Sequence, residues 1–190
     1  MEQIGATIRR IVEGRVPDKR IHISVPDARV RLHNALKYFC GEKAVWLPEY
    51  EEVAKWLENS KGKGLLLLGS NGRGKSLLAT KIFPFFFREQ KLWYEVVSAY
   101  EINDKYKNLH NTKIFCIDDV GVESIANSYG EKKHVFSMVM DEVERMQKLI
   151  VITTNLSQEM LLEKYSSRTV DRITGCCKVV VFNGSSLRGR

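Results

Sequence analysis

Short runs of consecutive apolar residues alternate along this chain with stretches whose apolar positions repeat every three to four residues. Four leucines at 65–68, framed by Gly64 and Gly69, read as a strand buried on both faces, because a strand with one wet face alternates apolar and polar positions. Further runs lie at 92–97, 114–117, 149–152 and 179–182, separated by helix-compatible stretches that include 134–146. This alternation predicts an α/β fold: a parallel sheet of five strands flanked by helices. Ahead of it, Leu47, Tyr50, Val53, Trp56 and Leu57 keep helical spacing, which predicts a helix with Pro48 near its start and the stripe in the core. Nearer the N-terminus, Ile4, Ile8 and Ile11 keep helical spacing before Pro17 and Pro26 interrupt it. Residues 1–60 therefore read as a short, partly helical segment, and 61–190 as the α/β core. Pro84, inside 76–89, predicts a kink or an early helix end. The cluster Phe83, Phe85, Phe86 and Phe87 is expected in the core, the other reading being a patch that faces a partner.

A chain of 190 residues fits one domain, and 44% hydrophobic with 28% charged residues excludes extended disorder. The net charge of +7 changes the picture, because clustered cations gain affinity for phosphates by releasing counterions. The excess concentrates in residues 61–112, where Lys61, Lys63, Arg73, Lys75, Lys81, Arg88, Lys91, Lys105 and Lys107 outnumber Glu89, Glu95, Glu101 and Asp104. A nucleic-acid partner and a solvated basic surface both remain open on charge alone. Cys40, Cys116, Cys176 and Cys177 have neither C-x-x-C spacing nor the density of a disulfide framework, and the adjacent pair reads as small strand residues. No apolar run reaches the length of a membrane span, so a cytoplasmic protein is expected.

The candidate chemistry begins directly after the leucine run. Gly69, Ser70, Asn71, Gly72, Arg73, Gly74, Lys75 and Ser76 match G-x-x-x-x-G-K-[ST] at every fixed position, between a predicted strand and a predicted helix. Glycines let such a loop curl so that backbone N–H groups point at phosphate oxygens, and the helix N-terminus adds its positive end. Lys75 is placed to reach the β and γ phosphates of a nucleotide and Ser76 to ligate magnesium. About 40 residues later the run at 114–117 ends in Asp118 and Asp119, which a parallel sheet delivers to the crevice at its carboxyl edge. Asp118 is the candidate magnesium ligand, and Asp119 the group that orients or deprotonates the attacking water. The run at 149–152 leads through Thr153 and Thr154 to Asn155, whose amide can position a water near the γ-phosphate; it can equally cap a helix at 158–165.

The set of P-loop, Ile117-Asp118-Asp119-Val120-Gly121, Thr153-Thr154-Asn155, Arg168-Thr169-Val170-Asp171-Arg172 and the terminal Phe182-Asn183-Gly184-Ser185-Ser186-Leu187-Arg188 resembles the DnaC/IstB family of AAA+ ATPases. The likeness holds in order and spacing from about residue 62 onward, roughly two thirds of the chain. It implies an AAA+ core without a substantial C-terminal lid, ATP and magnesium as cofactors, and an ATPase that assembles as a homo-oligomer. It implies sensor 1 at Asn155, an arginine finger at Arg172 with Arg168 in reserve, and the sensor 2 arginine at Arg188. From the residues alone, Arg168 and Arg172 are a surface pair at i and i+4. Members of the family load replicative helicases, with single-stranded DNA as the second partner, or assist transposases on duplex DNA. A small-molecule P-loop kinase is the alternative of another class; it leaves the paired aspartates and the terminal Ser-x-Arg unexplained. No N-K-x-D motif is present for a GTPase.

Overall fold

The computed structural model describes residues 20–124, 126–128 and 131–188. Ile4, Ile8, Ile11 and Pro17, for which helical spacing and a break were expected, lie outside them. In chain order the elements are α1 (Ala28–Cys40), α2 (Pro48–Glu58), β1 (Gly64–Gly69), α3, β2 (Glu95–Ser98), α4 (Ile102–Leu109), β3 (Ile114–Val120), β4 (Ala126–Ser128), β5 (Glu131–Lys133), α5 (Val135–Met146), β6 (Leu149–Thr154), α6 (Gln158–Lys164), α7 (Ser167–Cys176) and β7 (Cys177–Phe182). Helix α3 comprises three consecutive segments, Lys75–Leu77, Leu78–Ile82 and Phe83–Glu89. Five strands form one parallel sheet in the order β2, β3, β6, β1, β7, while β4 and β5 make a separate antiparallel hairpin. All five carboxyl ends therefore meet along one edge, where open α/β sheets bind ligands.

The continuous apolar strands follow from a sheet covered on both faces. Leu65 and Leu67 point into a cluster with Ile23, Leu32, Trp56, Phe83 and Phe87, whereas Leu66 and Leu68 point into one with Ile117, Phe136, Val139 and Ile173. Residues 23–57 thus share a core with β1, and Tyr50, Val53, Trp56 and Leu57 are buried as their spacing predicts. Trp56 packs its ring 5.7 Å from Phe83 and 6.3 Å from Phe87. Phe83, Phe86 and Phe87 are buried; Phe85 alone of the four is exposed.

Several local expectations are corrected. Of the two outcomes expected at Pro84 the early end is not found, and the helix instead departs from regular geometry just ahead of it: Leu78–Ile82 widens to π geometry and Phe83–Glu89 resumes with Pro84 in its first turn. Proline lacks the N–H and crowds the carbonyl four residues back, and a wider turn just ahead of it relieves both problems. Tyr94 helps by donating its hydroxyl to the Ala79 carbonyl inside the widened segment. Strand β2 begins at Glu95 rather than 92, because Leu92 and Tyr94 pack their side chains against the helical core instead of joining the ladder. Cys176 ends α7 and only Cys177 enters the strand. The β4–β5 hairpin falls where no element was expected. Among the described residues no helix is long and apolar enough to cross a membrane.

Candidate functional site

The loop between β1 and α3 folds as the motif requires, and its neighbours explain the glycines. Gly72 has φ +71, and a Cβ there would lie 2.0 Å from Ser186 Oγ. Gly74 has φ +89, with the Tyr50 hydroxyl 2.4 Å from the place of a Cβ. Both positions combine left-handed backbone with close approach, so glycine alone fits without displacement. Tyr50 donates its hydroxyl to the Arg73 carbonyl at 3.0 Å, bracing the loop from α2. Burial first, and then the charges of Cys40 and Glu49, push the Tyr50 phenol up to about 12, so it remains a donor at neutral pH.

The arginine of the motif points backwards. Arg73 is buried, and its Nε and Nη2 donate to Glu49 Oε1 at 2.9 and 2.7 Å. Its Nη1 donates to the Ser185 carbonyl at 3.2 Å, and the Asn183 amide donates to the same Glu49 oxygen at 3.1 Å. Two further bonds, Ser70 N to Phe182 O at 2.8 Å and Leu187 N to Gly72 O at 2.9 Å, complete a strap in which residues 182–187 lie against the loop. The strap carries Arg188 to the rim of a cleft of about 670 Å³ that is also lined by Asn71, Gly72, Gly74, Lys75, Ser76, Asp119 and Asn155.

Across the cleft Lys75 is the hub. Its Nζ donates to the carbonyls of Gly69 and Ser70, each at 2.8 Å, and to Asn155 Oδ1 at 2.9 Å. Asn155 Nδ2 donates in turn to Asp119 Oδ1 at 3.2 Å. Burial lowers the Lys75 pKa, against the pull of the Asp119 charge; Arg188 adds to the lowering and Asp118 opposes it. Asn155 is not a helix cap, since Ser157 Oγ performs that task for α6 by accepting from Met160 N at 3.2 Å. Asp118 Oδ1 accepts from the Thr153 hydroxyl at 2.6 Å. Three strand ends and one loop thus bring Lys75, Ser76, Asp119, Asn155 and Arg188 to one cleft, and Asp118, outside its lining, lies close enough for its charge to act on Lys75.

Arg172 and Arg168 do not join them. They sit at a separate surface hollow with Glu144, Ser167 and Asp171. Arg172 Nε donates to Glu144 Oε2 at 2.7 Å, and its guanidinium pairs with Asp141, both acids belonging to α5. Arg168 is exposed and has no ion-pair partner among the described residues. The cleft also has a wall that belongs to none of the motifs: Leu36 and Cys40 of α1, then Lys43 and Val45. Nothing in the spacing of 28–45 marks a binding wall, although Leu36 belongs to the core stripe of α1.

No protein-family model matches the sequence, and no curated protein matches it. Among solved structures, the DnaC helicase loader is similar with TM-score 0.55 at 18% identity, over 84% of this chain and 93% of that one. DnaI is similar with TM-score 0.56 at 19% identity, over 92% and 89%. AMPPCP-bound DnaA from Aquifex aeolicus is similar with TM-score 0.55 at 14% identity, over 73% of this chain and 48% of that one. With its five-stranded parallel sheet, P-loop and paired strand-end aspartates, the chain has the α/β P-loop fold of these proteins.

Proposed function

We propose that this chain binds ATP with magnesium, hydrolyses it, and acts in DNA replication by placing a replicative helicase on single-stranded DNA. The observation that carries the ATPase reading is the hydrogen-bonded row from Lys75 through Asn155 to Asp119, which spans the cleft from phosphate loop to strand end. Loop amides and the Lys75 ammonium bind the phosphates, which replace the carbonyls of Gly69 and Ser70 as its partners. Ser76 and Asp118 offer the hard oxygens that magnesium takes beside phosphate oxygens and water. When bound, magnesium neutralises charge on the β and γ phosphates. Asp119 holds the proton of the attacking water, and Asn155 orients that carboxylate through Nδ2. Arg172 acts on the nucleotide of a neighbouring copy, where a planar, permanently charged guanidinium suits the transferring phosphoryl group.

The replication half of the reading is supported by the likeness to the DnaC helicase loader and by the resemblance of the motif set. Lys105 and Lys107 of α4, with Lys113 after it, are exposed cations and the candidates for phosphate contact. Binding of an oligonucleotide through these residues should weaken with salt, with a log–log slope of about −0.7 per neutralised phosphate for single strands. Anisotropy titrations of wild type and the Lys105→Ala, Lys107→Ala double variant measure this, and the slope should flatten in the variant. Native pull-down with a nonhydrolysable ATP analogue should recover a helicase. Recovery of a transposase, with tight duplex binding and no single-strand binding, replaces the loader by a transposition helper.

A further inference from the structure

Thr153 does not line the cleft, yet its hydroxyl bonds both aspartates. Strands β3 and β6 pair with Ile117 opposite Ile152, and again with Val120 opposite Thr154. Between these pairs two residues, Asp118 and Asp119, face the single Thr153, which makes a β-bulge. A bulge leaves one backbone amide without its ladder acceptor. Here the Asp119 amide donates to Thr153 Oγ1 at 2.9 Å, so a side chain replaces the missing carbonyl. The same hydroxyl donates its proton to Asp118 Oδ1 at 2.6 Å. Thr153 is 0% exposed, so its own hydroxyl makes both bonds out of contact with solvent. A threonine hydroxyl has one proton to give and lone pairs to accept with, which is what this position uses; valine has the shape and neither function.

The bulge matters because of where it sends Asp119. That residue has φ +59, in the left-handed region, which persists for a side-chain-bearing residue where its surroundings hold it. In that conformation Oδ1 meets Asn155 Nδ2 and, through it, Lys75. Thr154 closes the next step of the bulge, donating to the Val120 carbonyl at 2.6 Å and accepting from Leu156 N at 3.1 Å.

We propose that Thr153 is a positioning residue for ATP hydrolysis, its one hydroxyl holding Asp119 in the bulge and Asp118 by a single oxygen. The other Asp118 oxygen is left for magnesium. This rests on the ATPase reading above, and the experiment separates the two. Amide exchange at Asp119, followed by NMR in the nucleotide-free protein, reads the bulge directly. Protection is expected in wild type, exchange at least about tenfold faster in Thr153→Val, and restored protection in Thr153→Ser. In steady-state ATPase assays Thr153→Val should lose about tenfold to a hundredfold in kcat and need more magnesium, as when a hydrogen bond to a metal-ligating group is removed. KM should change little, and Thr153→Ser should recover turnover. Wild-type exchange or turnover in Thr153→Val, or a Thr153→Ser protein as impaired as Thr153→Val, overturns the proposal. If Thr153→Val does not fold, a rapidly exchanging Asp119 amide in wild type overturns it alone. A wild type with Asp119 protected but no ATP binding or turnover overturns the ATPase reading and the catalytic half of the proposal, leaving the bulge contact standing.

Discussion

Removing the Glu49 carboxylate tests how the phosphate loop is held from behind. The Arg73–Glu49 pair is nearly sequestered, with side-chain exposures of 9% and 10%. Three donors, Arg73 Nε, Arg73 Nη2 and the Asn183 amide, converge on Oε1, while Oε2 is buried without a hydrogen bond. Breaking a buried pair by deleting one partner costs about 3–5 kcal/mol, mostly because the other charge is left uncompensated. Glu49→Ala belongs at the lower end, about 3 kcal/mol, since only one carboxylate oxygen is used and Arg73 keeps the Ser185 carbonyl. For a domain of this size each kcal/mol moves Tm by roughly 2–4 °C, so a fall of about 6–12 °C is expected. Calorimetry and urea unfolding without nucleotide measure it, and the urea midpoint should fall by roughly 1 M. The Glu49→Leu, Arg73→Met pair should recover most of the loss, because replacing both charges removes the desolvation penalty along with the attraction. A loss below about 1 kcal/mol for Glu49→Ala, the level of an exposed pair, refutes the reasoning.

Lys75→Ala should weaken fluorescent-nucleotide binding roughly tenfold to a hundredfold, since charge-assisted hydrogen bonds are worth about 1.5–3 kcal/mol; unchanged affinity in the folded variant refutes the phosphate site. Arg172→Ala should keep ATP binding in the isolated subunit and lose turnover on assembly, and mixing it with Asp119→Asn should restore activity, each subunit supplying what the other lacks. Mixed oligomers that form but stay inactive refute action in trans. Burial pushes the Glu142 carboxyl up, yet bonds to Lys148 and His110 outweigh it and hold the group below its ordinary value. A lowered folded pKa contributes stability above the unfolded value near 4.5, lost as pH falls through the folded one. Urea midpoints of wild type should therefore drop with acid more steeply than those of Glu142→Gln, and parallel curves refute the linkage.

Much of this protein is determined locally and was legible in the chain. The leucines of β1, the core stripe of α2 and the P-loop each announce themselves within a few residues, because burial on two faces, helical periodicity and phosphate cradling are properties of short segments. Strand ends at Asp118, Asp119 and Asn155 could be matched to the loop because a parallel sheet must present its carboxyl ends on one edge. What the tertiary structure decided lies between distant segments. The motif puts Arg73 on the phosphate side, but Glu49, 24 positions earlier, turns its side chain away from the cleft. Arg172 was assigned by resemblance, and only the packing of α7 on α5 shows it held by Asp141 and Glu144. The wall formed by Leu36, Cys40, Lys43 and Val45 has no motif, since a wall is recruited by proximity rather than by residue type. The bulge opposite Thr153 is a matter of pairing between strands about 35 residues apart, and an extra residue in one strand shows only against its partner.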